Sequence, residues 1–132
     1  MQLTVLLFAI STVLLASTCR SDTQTSVQQQ QLGLLTRTWL HAHEEDQGDV
    51  RVYRPNTYNF PPSRGRTGFA FEQNGLFTQY DIAPTDGMQG RKGQWAVKDE
   101  HTLRITLDDK QEPDYELEIV SLDEKMLKVR RK

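Results

Sequence analysis

Residues 68–82 read GFAFEQNGLFTQYDI, two aromatic-rich arms on either side of Asn74-Gly75. Asn-Gly supplies the positive φ angles of a tight two-residue turn, so the stretch predicts a β-hairpin whose register follows from the turn. The pattern continues toward the C-terminus. In residues 93–109, GQWAVKDEHTLRITLDD, Trp95 and Val97 on one arm and Leu103, Ile105 and Leu107 on the other recur at every second position, which puts them on one face of a sheet. Arg104, Thr106 and Asp108 then face water. In residues 114–132, DYELEIVSLDEKMLKVRRK, Tyr115, Leu117 and Ile119 alternate with Asp114, Glu116 and Glu118, and the chain turns at Asp123-Glu124 and returns through Leu127 and Val129.

Toward the N-terminus, residues 39–43 and 50–53 add two shorter strands, which makes eight within residues 34–132 with almost no helical periodicity. An open eight-stranded meander with one buried face leaves two reactive edges, and closing it into a barrel removes both. The expected fold is therefore all-β: an antiparallel eight-stranded up-and-down meander closed into a barrel. Its interior is either filled by side chains or holds one small ligand. The longest irregular stretch, loop 54–67, contains Pro55, Pro61 and Pro62, which suit neither strand interior nor free coil, and it reads as an ordered loop or lid.

The chain ahead of this domain is of a different kind. Residues 3–16, LTVLLFAISTVLLA, are an apolar run of signal-peptide length, too short for a comfortable membrane span. Cys19, the single cysteine, stands where that run stops. The arrangement resembles the lipobox of secreted bacterial lipoproteins, with Ala16 in the usual Leu position and Thr18 just before the cysteine. The resemblance implies lipidation of Cys19 and a membrane partner reached through the lipid anchor; simple secretion with a free thiol is the alternative. Residues 20–31, RSDTQTSVQQQQ, hold one apolar residue and cannot bury a face. The expected organisation is a lipoprotein-type signal peptide over residues 1–18, a flexible Gln-rich tether over 19–33 and a barrel domain over 34–132. Its place is the bacterial cell envelope, facing the periplasm or the exterior.

Composition narrows the function classes. The 132 residues carry 16 Lys plus Arg against 18 Asp plus Glu, so the basic face that nucleic acid requires is not indicated. One Cys can neither close an intramolecular disulfide nor build a Cys-rich zinc site.

The domain resembles the small lipocalin-like proteins, many of them bacterial lipoproteins. The likeness is carried by Trp39 at the first strand, the run of hairpins, Gly93-Gln94-Trp95 opening a strand, and the closing segment IVSLDEKMLKV at 119–129. It covers residues 34–132 and departs at Arg37, where a Gly is usual two residues before the Trp. It implies a barrel, and a group whose members bind hydrophobic small molecules or act on other proteins. Fold does not choose between these.

Several residues carry candidate chemistry. His41, His43 and Glu45 alternate after Trp39, the spacing of a strand-borne metal site, but a site needs a further ligand and His101 lies in a turn. Surface or core-lining roles account for them better, and no metal or cofactor is expected. Arg64 and Arg66 flank Gly65 and suit a carboxylate or phosphate, while stacking on an aromatic that closes the barrel is the structural alternative. Trp39, His41, Tyr80 and Trp95 are the remaining candidates to line a ligand site, with the other aromatics given to the core. No nucleophile elbow, phosphate loop or paired acid motif occurs. The expected protein is a non-enzymatic, surface-tethered binding domain for a small hydrophobic or amphiphilic molecule. Rival readings are a protein-interaction or inhibitor module acting through loop 54–67, and a metal-dependent enzyme if His41, His43 and Glu45 converge with His101.

Overall fold

The computed structural model describes residues 29–82 and 87–132, so the apolar run, Cys19 and the first part of the tether lie outside the described residues. Eight strands form in chain order: β1 Thr38–His41, β2 Arg51–Pro55, β3 Gly68–Phe71, β4 Leu76–Ile82, β5 Met88–Val97, β6 Thr102–Leu107, β7 Tyr115–Leu122 and β8 Leu127–Arg131. They close into one antiparallel barrel, so no sheet edge is left to pair with another chain. Residues 29–35 are helical, so helix begins within the stretch whose composition suggests a tether up to residue 33.

The order around the barrel is β1-β2-β8-β7-β6-β5-β4-β3, which corrects the expected up-and-down meander. From β3 to β8 each strand pairs with its successor, but β1 separates β2 from β3. Both β2 and β3 are antiparallel to β1, so they run in the same direction and the chain between them must travel back the length of the barrel. Alternation along a strand cannot reveal this exchange, because either neighbour buries the same face of β2. The irregular stretch is also shorter than its sequence suggests. Arg54 and Pro55 belong to β2, with Pro55 as its last residue opposite Trp39.

Inward-facing side chains fall into two tiers. The lower tier is apolar: Trp39, Phe71, Phe77, Leu103, Ile105, Leu117 and Leu127 are all at most 3% exposed. A residue hidden to that degree contributes roughly 1.5–3 kcal/mol through apolar burial. The helix over residues 29–35 plugs this end, with Leu35 buried in the core and its carbonyl accepting from Trp39 Nε1 at 2.9 Å. Arg37 stacks on Trp39 at 5.5 Å and donates to the Glu124 carbonyl at 2.9 Å, so the residue standing where Gly is usual joins the barrel entrance to the β7–β8 turn. At Gly93, an added Cβ would lie 2.2 Å from the Thr106 carbonyl oxygen. The missing side chain lets β5 and β6 approach, with Trp95 two residues on packing edge-on against Phe71.

The hairpin at Asn74-Gly75 forms, but by a different turn. Gly75 alone has a positive φ, of 84°, and its N–H donates to the Glu72 carbonyl at 3.1 Å. Asn74 stays outside the left-handed region and accepts from the Leu76 N–H through Oδ1 at 3.2 Å. Four residues therefore lie between β3 and β4, and Phe71 and Phe77 still face each other across the ladder.

Candidate functional site

The upper tier of the barrel is polar. Continuing the inward phase of each strand upward leads from Phe77 to Gln79 and Asp81, from Val129 to Arg131, from Leu117 to Tyr115, and from Tyr53 to Arg51. These side chains surround a cavity of about 120 Å³ that opens at the end of the barrel opposite the helix. That is room for several waters or one head group, and well below the roughly 300 Å³ at which sites for drug-sized ligands begin. Phe69, Leu117 and Val129 form its floor, and below them the aromatic tier is packed.

Two hydrogen-bonded groups hold the walls. The Tyr115 hydroxyl donates to Gln79 Oε1, and Gln79 Nε2 donates to Asp81 at 3.0 Å. Arg91, from β5, is ringed by Asp81 at 3.1 Å, Asp109 at 2.8 Å and Glu112 at 2.9 Å, with its side chain 12% exposed. The Arg91 hydrogen bond holds the Asp109 carboxyl down at about 2. Glu112 turns its other oxygen to Arg131 at 2.7 Å, and Arg131 also lies 3.9 Å over the Tyr115 ring. Burial pushes the Tyr53 hydroxyl up to about 12, against the opposing influence of Arg51 and Arg131, so it is a proton donor at any physiological pH. Arg51 is exposed at the rim and has no carboxylate partner among the described residues.

The candidates from sequence are distributed differently. β1 ends at His41, and His43 and Glu45 lie in the 3₁₀ turn His43–Glu45, so the expected one-face alternation breaks after His41. Each acid of the turn is already engaged: Glu44 with Arg66 at 2.7 Å, Glu45 with Arg54 at 2.5 Å, and Asp46 with His41 Nε2 at 2.9 Å. Among the described residues no three metal-ligating side chains converge. His41 faces inward and stacks on Tyr53 at 5.1 Å, so it backs the cavity wall without lining the cavity.

Arg66 stacks on an aromatic, but on Phe60 of the loop and not on a tryptophan that closes the barrel. Its side chain is 8% exposed, and it donates to the Glu44 carboxylate, the His41 carbonyl and the Pro61 carbonyl while lying 4.6 Å over Phe60. That arrangement holds the Glu44 carboxyl down at about 2. Arg64 is exposed on the loop. Neither borders the cavity, which the loop reaches only through Thr67. The filled interior leaves the returning chain only an outside path, so residues 56–67 form a strap beside β1 and not a lid. Trp39 is wholly buried, Trp95 is at the helix end donating to the Glu72 carbonyl at 2.9 Å, and Tyr80 borders the cavity from a position whose side chain is on the outer face beside Gly90.

Sequence reading missed Arg51, Tyr53, Gln79, Asp81, Tyr115 and Arg131 as a group. A signal was there: each is a polar or amphipathic side chain at an inward-phase position near a strand end. Converting it into a site required knowing that the ends of β2, β4, β7 and β8 meet at one mouth. The chain has no match among protein-family models, curated proteins or solved structures.

Proposed function

We propose that this protein is a non-enzymatic, surface-tethered lipoprotein of the bacterial envelope whose barrel binds a small amphiphilic molecule by its head. The observation that carries the reading is the tiering of the interior, a polar cavity of about 120 Å³ above a closed aromatic core. A purely apolar chain has no room inside the barrel, whereas a head group fits the mouth. Ile82 and Met88 are each 49% exposed beside Gly65 at the same end, and they supply apolar surface outside the mouth for the rest of such a molecule. The carboxylates near the mouth, Asp81, Asp109 and Glu112, are each bound to Arg91, so among the described residues the mouth offers no unengaged acid–base pair in support of an enzyme. The tether rests on the apolar run ending at Cys19. Among the described residues no helix is long and apolar enough to cross a membrane. The lipocalin-like assignment rests on the sequence elements, and the exchanged place of β2 is a departure from consecutive strand order.

Native mass spectrometry of the full chain released from its membrane tests the binding reading: a retained small amphiphile is the expected result. A bare protein that also takes up no added amphiphile would overturn it in favour of a protein-interaction role. Labelling with a fatty-acid analogue tests the tether, with label expected on the wild type and lost in Cys19→Ala.

A further inference from the structure

We infer that the head group the mouth accepts is a single carboxylate, held between Arg51, Arg131 and the Tyr53 hydroxyl. This rests on the binding reading above and deepens it. The charges around the cavity are unevenly satisfied. Arg91 is surrounded by Asp81, Asp109 and Glu112, and Glu112 also meets Arg131, so the acids of the mouth are engaged on those two arginines. Arg51 has no such partner among the described residues; it faces Val129 across the ladder and stands two residues from Tyr53 on the same strand. Of the charged residues lining the cavity, Asp81 is bound to Arg91 and Arg131 to Glu112, so the positive charge on its wall that no carboxylate meets among the described residues is that of Arg51.

The donor set selects the kind of anion. A guanidinium is planar and presents paired N–H groups that match a carboxylate, and bonds of this kind are about twice as strong as neutral ones. Arg131 gives one nitrogen to Glu112 and has others left, and its position over the Tyr115 ring holds its plane in place. Tyr53, 3% exposed and protonated across the physiological range, adds a donor with no competing acid form. A phosphate monoester carries more charge and would meet the Asp81 carboxylate on the same wall. The floor of Phe69, Leu117 and Val129 excludes a second polar group below the head.

The test uses the purified full-length lipoprotein and a set of water-soluble probes that differ only in the head: hexanoate, hexanamide, hexylammonium and hexyl phosphate. Binding is followed by calorimetry and by NMR shifts of the Tyr53 and Tyr115 rings. Hexanoate is expected to bind most tightly, and added salt should weaken it. Arg51→Ala should weaken hexanoate by about tenfold or more, and Arg51→Lys should recover part of that loss. Arg51 is exposed, so both variants are expected to melt with the wild type. Tyr53→Phe should weaken the same probe by a few-fold. Hexanamide binding as well as hexanoate would overturn the charge assignment while leaving amphiphile binding intact. Hexyl phosphate binding more tightly would overturn the carboxylate assignment. Hexanoate binding that is indifferent to Arg51→Ala would remove the site. No probe bound at all would sink both this inference and the binding reading.

Discussion

Gly75 shows how a correct local signal can be realised by another geometry. Asn-Gly announces a hairpin, and the hairpin is present, but the left-handed conformation is confined to Gly75 while Asn74 contributes a side-chain acceptor to the Leu76 N–H. The two residues should therefore respond unequally. Gly75→Val forces a β-branched residue to a φ of 84° and is expected to destabilise the domain by about 1–3 kcal/mol, lowering the Tm by at least about 5 °C. An added Cβ at this position meets the Trp95 carbonyl oxygen at 3.6 Å, an ordinary contact, so the loss is conformational and not a clash. Asn74→Ala removes one exposed hydrogen bond and should shift the Tm much less. Equal losses from the two substitutions would instead indicate a turn with both residues left-handed. The same separation of residue type from role applies to the histidines. His41 and His43 share a spacing in the sequence, yet one faces the Tyr53 ring and the other, 51% exposed, sits in the 3₁₀ turn.

Among the elements, the strap over residues 56–67 departs most from its sequence reading. Prolines and two arginines suggest a lid with a ligand-reading tip, but the order of strands makes this segment a return path along the outside of the barrel. Its anchors are Tyr58 under Arg54 at 4.9 Å and Phe60 under Arg66 at 4.6 Å, and the two arginines are in turn bound to consecutive acids of the 3₁₀ turn. Glu44, Glu45 and Asp46 look like a solvated run in sequence, because residues in succession cannot converge on one point. The structure uses that divergence: each acid takes a different basic partner, from β2, from the strap and from β1. Arg66→Ala should therefore lower the Tm by about 5 °C or more, while Arg64→Ala leaves it unchanged. Thermal melts of the two single variants distinguish this from a ligand-reading role, in which neither substitution would change stability. The C-terminal strand carries the same lesson. Its basic end reads in sequence as a solvated edge strand protected by Lys and Arg, yet β8 is paired on both sides and Arg130, Arg131 and Lys132 meet Asp49, Glu112 and Glu118.

At the scale of the whole molecule, these pairs make stability depend on pH at both ends. Glu44 and Asp109 have carboxyls held at about 2, and Glu45, Glu112, Asp114 and Glu118 are also lowered, in each case foremost by a hydrogen bond to a cation. A carboxyl whose folded pKa lies below its unfolded one stabilises the fold at neutral pH and ceases to do so as pH falls toward the folded value. The Tm is therefore expected to decline as pH drops from the ordinary carboxylate range, 3.8–4.5, toward 2. Tyr53 and Tyr115 act with the opposite sign. Burial raises both, Tyr53 to about 12, so their contribution is whole below the unfolded value of 10 and is lost as pH rises through the folded one. Circular-dichroism melts across that range check both limbs, and a Tm unchanged between pH 10 and pH 12 would contradict the burial of the two hydroxyls. Sequence alone was enough for the all-β class, the strand count, the hairpins β3–β4, β5–β6 and β7–β8 and the inward phase of β6 to β8, because these depend on local turns and on the two-residue alternation of a pleated chain, although Val97, expected on the core face, is exposed. Only the three-dimensional closure placed β1 between β2 and β3, with β2 against β8, and made residues 56–67 a strap. It also decided that polar strand ends distant in sequence meet as one mouth. The physical reason is that closing a barrel is a choice among partners burying equivalent faces, and alternation, which is blind to the partner, cannot express that choice.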